Sequence, residues 1–255
     1  MAIETYLIGN WKLFKTRAEI DAFYTELKAQ GLRRSPSVGL AVAVSPSHMD
    51  YAKQRAPEGV EIFSQNVAYA LEGAYTGEIS ARQLKDIGVS GTLVGHSERR
   101  QYFADTNETV VRRALVALEA GLKVVFCIGE TLEEREAGRT EAVLGEQVGA
   151  LLDASRGSTL LANTIESGAF WVAYEPVWAI GTGKTASPEM AEEAHLAIRR
   201  IFEKGGLKSP KILYGGSVKP TNFKELLEQP NIAGGLVGGA SLEASSYLTL
   251  AASID

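Results

Sequence analysis

The chain has 255 residues, 45% hydrophobic and 22% charged, enough for one large domain or two small ones around a sizeable core. A formal net charge of −5 gives no electrostatic reason to expect nucleic acid or an anionic membrane as a partner, and a small anionic ligand would need a local positive site. One cysteine, Cys127, excludes an intrachain disulfide and a cysteine-rich zinc site, and three scattered histidines (His48, His96, His195) show no metal-ligand spacing. No apolar stretch reaches membrane-spanning length, and Met1-Ala2-Ile3-Glu4-Thr5 lacks the basic and apolar regions of a signal peptide, so the expected location is cytoplasmic.

In chain order, short apolar runs alternate with helical patterns. A strand over 6–8 ends in Gly9-Asn10-Trp11-Lys12. A helix over 17–29 places Ile20, Phe23, Tyr24 and Leu27 on one face. Strands over 39–44 and 59–63 come next, then a helix over 81–87 with Ser80 as its N-cap. A strand over 91–94 leads into His96-Ser97-Glu98, which reads as a helix start, and a helix over 106–120 follows. A strand over 122–127 precedes a helix over 141–154, and a strand over 169–174 runs straight into Glu175. The last units are a helix over 188–204, a strand over 211–214, a helix over 220–228, a strand over 235–237 and a helix over 242–252. Pro188 and Pro220 suit helix starts.

Glycines at 59, 88, 121, 205 and 206 punctuate element ends, and no linker divides the chain. Alternating strands and helices imply parallel strands with right-handed crossovers. Eight such units in about 250 residues predict a single-domain (β/α)8 barrel spanning residues 1–255. The alternative is a doubly wound sheet. It usually carries a Gly-x-Gly-x-x-Gly turn after its first strand, which Gly9-Asn10-Trp11-Lys12 is not.

In a barrel, side chains at the C-terminal strand ends converge on one mouth. Asn10 and Lys12 follow the first strand, His96 and Glu98 the fourth, and Glu175 the sixth. Glycine turns Gly215-Gly216-Ser217 and Gly238-Gly239-Ala240-Ser241 follow the last two. Backbone N–H groups of such turns can approach an anion closely, and a helix opening at Ser241-Leu242 would add its positive end. Either turn alone reads equally well as a tight connection. Glu175 alone reads as a solvated strand-end acid, and His96 alone as a satisfied core histidine. His96 precedes a helix start, which disfavours a positive charge and suits a neutral hydrogen-bond donor. Glu98 reads either as a helix-start acid or as a partner of Lys12. His195 and His48 read as structural.

Taken together, Asn10-Trp11-Lys12, Gly95-His96-Ser97-Glu98-Arg99-Arg100, Cys127-Ile128-Gly129-Glu130, the long run from Ala173 to Ala186, Tyr214-Gly215-Gly216-Ser217-Val218 and Gly234-Gly235-Leu236-Val237-Gly238-Gly239-Ala240-Ser241-Leu242 resemble the triosephosphate isomerase family, in order and over nearly the whole chain. The resemblance implies cofactor-independent interconversion of dihydroxyacetone phosphate and glyceraldehyde 3-phosphate. By the same resemblance Glu175 is the base and His96 polarises the carbonyl. Lys12 and Asn10 stabilise the enediolate. Backbone N–H groups of Gly181, Ser217, Gly238 and Gly239 hold the phosphate. Tyr214 and Ser217 latch a lid near Ala186 and Gly183. It also implies a homodimer through the loop from Asn66 to Ile79, which would insert beside the neighbour's Lys12.

Two segments depart from the family pattern. Leu13-Phe14-Lys15-Thr16 stands where Met-Asn-Gly is common, and Ala104-Asp105 where Gly-Glu is frequent. Phe14 could fill or obstruct the partner's socket. Two further readings stand beside the isomerase. Another phosphate-binding barrel enzyme accounts for the glycine turns but not for His96 and Glu175. A non-catalytic barrel scaffold needs neither Glu175 nor Lys12.

Overall fold

A computed structural model describes residues 3–32, 35–180 and 185–254. Its strands are β1 (Thr5–Asn10), β2 (Val38–Val44), β3 (Val60–Ser64), β4 (Gly91–Val94), β5 (Lys123–Ile128), β6 (Phe170–Tyr174), β7 (Lys211–Tyr214) and β8 (Gly234–Val237). Each pairs in parallel with the next, and β8 returns to β1 with Tyr6 opposite Gly234 and Gly9 opposite Val237, closing the barrel. The helices are α1 (Arg17–Ala29), α2 (Met49–Arg55), α3 (Ala81–Asp86), α4 (Ser97–Tyr102), α5 (Asn107–Glu119), α6 (Leu132–Glu136), α7 (Thr140–Ala154), α8 (Leu160–Glu166), α9 (Pro188–Lys204), α10 (Phe223–Leu227) and α11 (Ala244–Ala252). The eight-stranded barrel expected from the alternating pattern is therefore the fold.

Strand alternation divides the core into two layers. Tyr6, Ile8, Leu93, Val125, Cys127, Trp171, Ala173, Leu213 and Leu236 belong to the inner cluster. Their neighbours Leu7, Val94, Val124, Phe126, Val172 and Tyr214 pack outward among the helices. At the N-terminal ends of the strands, Tyr6 meets Phe63 and Trp171 edge-on at 5.9 and 5.2 Å. A Cβ on Gly39 would lie 2.7 Å from the Tyr6 ring, and one on Gly91 2.6 Å from Phe63, so these glycines make room for the plug. The Tyr6 hydroxyl donates to Glu61, whose carboxylate also accepts from Lys123. This floor is filled, which leaves the opposite end for chemistry.

Helix starts are fixed locally. Thr16 and Glu19 form a reciprocal capping box on α1, as do Thr106 and Thr109 on α5. Ser187 accepts from the Met190 N–H at the head of α9, with Pro188 in its first turn. Two expected starts are corrected. The helix placed over 220–228 begins at Phe223, because Asn222 turns its side chain back onto the Lys219 N–H and extends the loop past Pro220. The helix placed over 242–252 begins at Ala244; Gly239–Ser241 is a separate 3₁₀ turn.

Candidate active site

Inward alternation along β1 runs Tyr6, Ile8, then Asn10; along β6 it runs Trp171, Ala173, then Glu175. Both polar residues thus continue an inner row past the last apolar layer. Asn10 Oδ1 accepts the Lys12 N–H at 3.0 Å, which leaves its amide NH2 for another acceptor. Lys12 sits at φ +49°, a left-handed conformation rare for a side-chain-bearing residue. Gln65, just past β3, holds that turn by donating to the Lys12 carbonyl at 2.8 Å and the Ala43 carbonyl at 3.1 Å. Trp11 is buried beneath it and donates to Ser241 O at 3.2 Å.

Gly95 takes φ +72°, turning the chain after β4 so that His96 enters the mouth. A Cβ there would lie 3.0 Å from Arg100 Nη2, and Arg100 donates to Gly95 O at 2.9 Å and Cys127 O at 3.3 Å. Arg100 therefore pins the ends of two adjacent strands. His96 Nδ1 accepts the Glu98 N–H at 3.3 Å, which assigns the ring proton to Nε2. Nε2 lies 3.1 Å from Glu175 Oε1. The approach is close but not aligned as a hydrogen bond, and Oε1 has no hydrogen-bond partner among the described residues. The other oxygen, Oε2, accepts the Ser97 N–H at 2.7 Å, at the first residue of α4. Glu98 is the acid in the first turn of α4 and also pairs with Lys12 at 2.5 Å, so both readings of that residue hold.

Glu175 is 1% exposed. Its backbone oxygen would overlap a Cβ on Gly129, and its Cγ would lie 2.8 Å from one on Gly215. Those glycines give the carboxylate its slot. Beyond it, Glu130 is fully buried and accepts from Tyr174 Oη and Trp178 Nε1, both at 3.0 Å, and from Arg135 at 3.2 Å. The segment leaving Glu175 is anchored there.

A cavity of about 300 Å³ opens at the strand ends. Asn10, Lys12, His96, Ser217, Gly238 and Gly239 all line it. A Cβ on Gly238 would lie 3.7 Å from Lys12 Nζ, so the glycine keeps the wall low beside the cation. Ser241 donates its N–H and its hydroxyl to Gly238 O, at 2.9 and 2.7 Å. A larger cleft, about 940 Å³, lies between the 68–78 segment and α3, but it contains none of the strand-end groups. The strand-end polar groups gather around the smaller one.

Residues 5–254 match the triosephosphate isomerase family over nearly the full length of the chain. The chain belongs to the triosephosphate isomerase family. Its similarity extends to individual members. It is 45% identical over 250 residues to the triosephosphate isomerase of Chlorobium phaeobacteroides, covering 96% of each chain. To that of Xanthomonas campestris pv. campestris it is 46% identical over 249 residues, 95% of each. To that of Solibacter usitatus it is 44% identical over 256 residues, 96% of this chain and 97% of the relative.

Within this isomerase-family barrel, Glu175, Glu98 and Tyr214 are not among the described residues that line the cavity, though Glu175 touches His96 and Glu98 touches Lys12, which do. Burial pushes the Tyr214 hydroxyl up to about 12, with the Ala186 backbone pulling the other way. That hydroxyl has no aligned hydrogen-bond partner among the described residues. Gly181 and Gly183 lie outside the described residues. The helix end expected at Ser241-Leu242 is replaced by the 3₁₀ turn, whose Ser241 N–H is already used on Gly238. Four contributors escape a sequence reading: Gln65, Ser97, Arg100 and Glu130. Ser97 acts through its backbone N–H, which leaves no residue-type signal, whereas Arg100 acts through its guanidinium on backbone carbonyls that the sequence does not show to be near it. Gln65 and Glu130 follow strands β3 and β5, and that strand-end position was the signal available.

Proposed function

We propose that the chain interconverts dihydroxyacetone phosphate and D-glyceraldehyde 3-phosphate as one catalytic barrel, with Glu175 as the base. The observation that carries the reading is the juxtaposition at the mouth. An unpartnered oxygen of a buried carboxylate lies 3.1 Å from His96 Nε2, and His96, Asn10 and Lys12 line one cavity. The substrate's phosphate rests on the N–H groups of Ser217, Gly238 and Gly239, with Gly181 added from the segment after Glu175. Its carbonyl oxygen faces His96 Nε2–H, the Asn10 amide and Lys12. Glu175 leaves Ser97, removes a proton from the carbon beside the carbonyl and returns it to the neighbouring carbon. His96 carries the hydroxyl proton between the two oxygens. The oxygen charge that develops meets preorganised donors, each of which typically lowers the barrier by about 3–4 kcal/mol. Proton transfers alone complete the reaction, so no cofactor is called for. Tyr214 and Ser217 hold the segment near Ala186 when it covers the site, keeping water from the enediolate.

We further propose a homodimer in the cytoplasm. Leu13 is 93% exposed and Phe14 59% in the turn after Lys12, and Tyr102 is 65% and Phe103 64% exposed at the end of α4, large apolar side chains open to a partner. The 66–79 loop, with Leu71 and Tyr75 exposed, supplies the complementary surface. Arg113 holds both ends of that loop by donating to Val67 O and to Glu78 at 2.7 Å. Phe14→Asn should raise the dimer dissociation constant, and a sedimentation profile unaltered on dilution would remove Phe14 from the interface.

A coupled assay on the purified chain tests the reaction. Turnover of both triose phosphates is expected. Absence of turnover with either one would reject the proposal.

A further inference from the structure

We propose that Lys219 captures and holds the substrate's phosphate dianion, a specificity role that rests on the isomerase reading of the site. Two lysines, Lys12 and Lys219, and no aspartate or glutamate are among the described residues that line the strand-end cavity. They are not equivalent. Lys12 is 2.5 Å from the Glu98 carboxylate, so the pair carries no net charge at distance. Lys219 is exposed and has no ion-pair partner among the described residues. Its charge is therefore the uncompensated one on the wall, in a chain of formal net charge −5 that otherwise repels a dianion.

The backbone around it is fixed. Asn222 Oδ1 accepts the Lys219 N–H at 2.8 Å, and Asn222 Nδ2 donates to Ser217 O at 3.2 Å. One side chain thus brackets the turn from Ser217 to Lys219. It places the root of the lysine two residues from Ser217, on the phosphate side of the cavity and away from the reacting carbons. A flexible ammonium at that place adds point-charge attraction for phosphate without entering the proton transfers.

Two measurements on wild type, Lys219→Met and Lys219→Arg test this. Inorganic phosphate is titrated by calorimetry at low and high ionic strength, and kcat/KM is followed over the same range. Lys219→Met should bind phosphate about tenfold more weakly at low salt, with the gap narrowing as screening grows. It should raise KM more than it lowers kcat and flatten the salt dependence of kcat/KM; Lys219→Arg should restore both. Equal phosphate affinity and an equal salt slope in Lys219→Met would overturn the proposal. A wild-type chain that turns over no triose phosphate would reject the isomerase reading instead, and the phosphate titration would still decide the role of Lys219.

Discussion

Glu175 reaches the site through one β-branchless side chain from a slot cut by Gly129 and Gly215. Its reach is therefore set by side-chain length. Glu175→Asp withdraws the carboxylate by one methylene, and a misplacement on the order of 1 Å can cost ~100-fold in rate. Steady-state assay of that variant should show the loss in kcat; undiminished kcat would contradict the base assignment. Two other residues carry strain. Lys15 at φ +75° and Ala104 at φ +55° occupy the left-handed region, and both fall in the segments where the family has glycine. Lys15→Gly and Ala104→Gly should each stabilise the chain by roughly 0.5–1 kcal/mol, read by urea denaturation, because glycine removes the Cβ clash. A loss of stability in both would show that side-chain packing outweighs the strain. At this scale the sequence exposed Asn10, Lys12, His96 and Glu175 by their places after apolar runs. It could not expose Ser97, whose contribution is a backbone N–H that any residue but proline has.

Among the elements, the strands were legible to within one or two residues because covered parallel strands are short apolar runs. Long helices were legible too: α1 and α9 have the bounds their periodicity predicts. Helices α2, α6 and α8 were not, since seven residues or fewer give too few turns for an apolar face to repeat; the equally short α3 was legible from its N-cap, Ser80. The starts of α10 and α11 slipped because Pro220 and Leu242 sit in turns that side-chain brackets extend. The segment leaving β6 depends on Glu130, which holds Tyr174 and Trp178 together. Glu130→Ala removes the acceptor of the buried Tyr174 hydroxyl, at about 1–3 kcal/mol, and one acceptor of the Trp178 indole. Chemical denaturation should show the lost stability, and Trp178 fluorescence should report a loosened segment; unchanged values of both would remove Glu130 as its anchor.

For the whole molecule, acid sensitivity has an identifiable source. His195 is fully buried on α9; its Nδ1 meets Asn231 O at 3.0 Å and its Nε2 has no hydrogen-bond partner among the described residues. Burial lowers its pKa from 6.5 to about 4. Between those values the unfolded chain binds a proton that the fold refuses. The stability from a neutral His195 is complete above pH 6.5 and is lost as pH falls toward about 4, roughly 3 kcal/mol in all. Urea unfolding at pH 7.5 and pH 5 should show a steeper decline for wild type than for His195→Gln. Parallel declines would place the sensitivity elsewhere.

The central claim concerns convergence: Lys12, His96 and Glu175, far apart in the chain, act on one small anion at one end of the barrel. A crystal structure with 2-phosphoglycolate tests it most directly. The phosphate should rest on Ser217, Gly238 and Gly239, the carboxylate should lie between His96 Nε2 and Lys12 Nζ, and Glu175 should leave Ser97 to sit ~3 Å from the ligand. A ligand bound in the cleft beside α3, or a Glu175 still on Ser97 with the cavity occupied, would contradict the account.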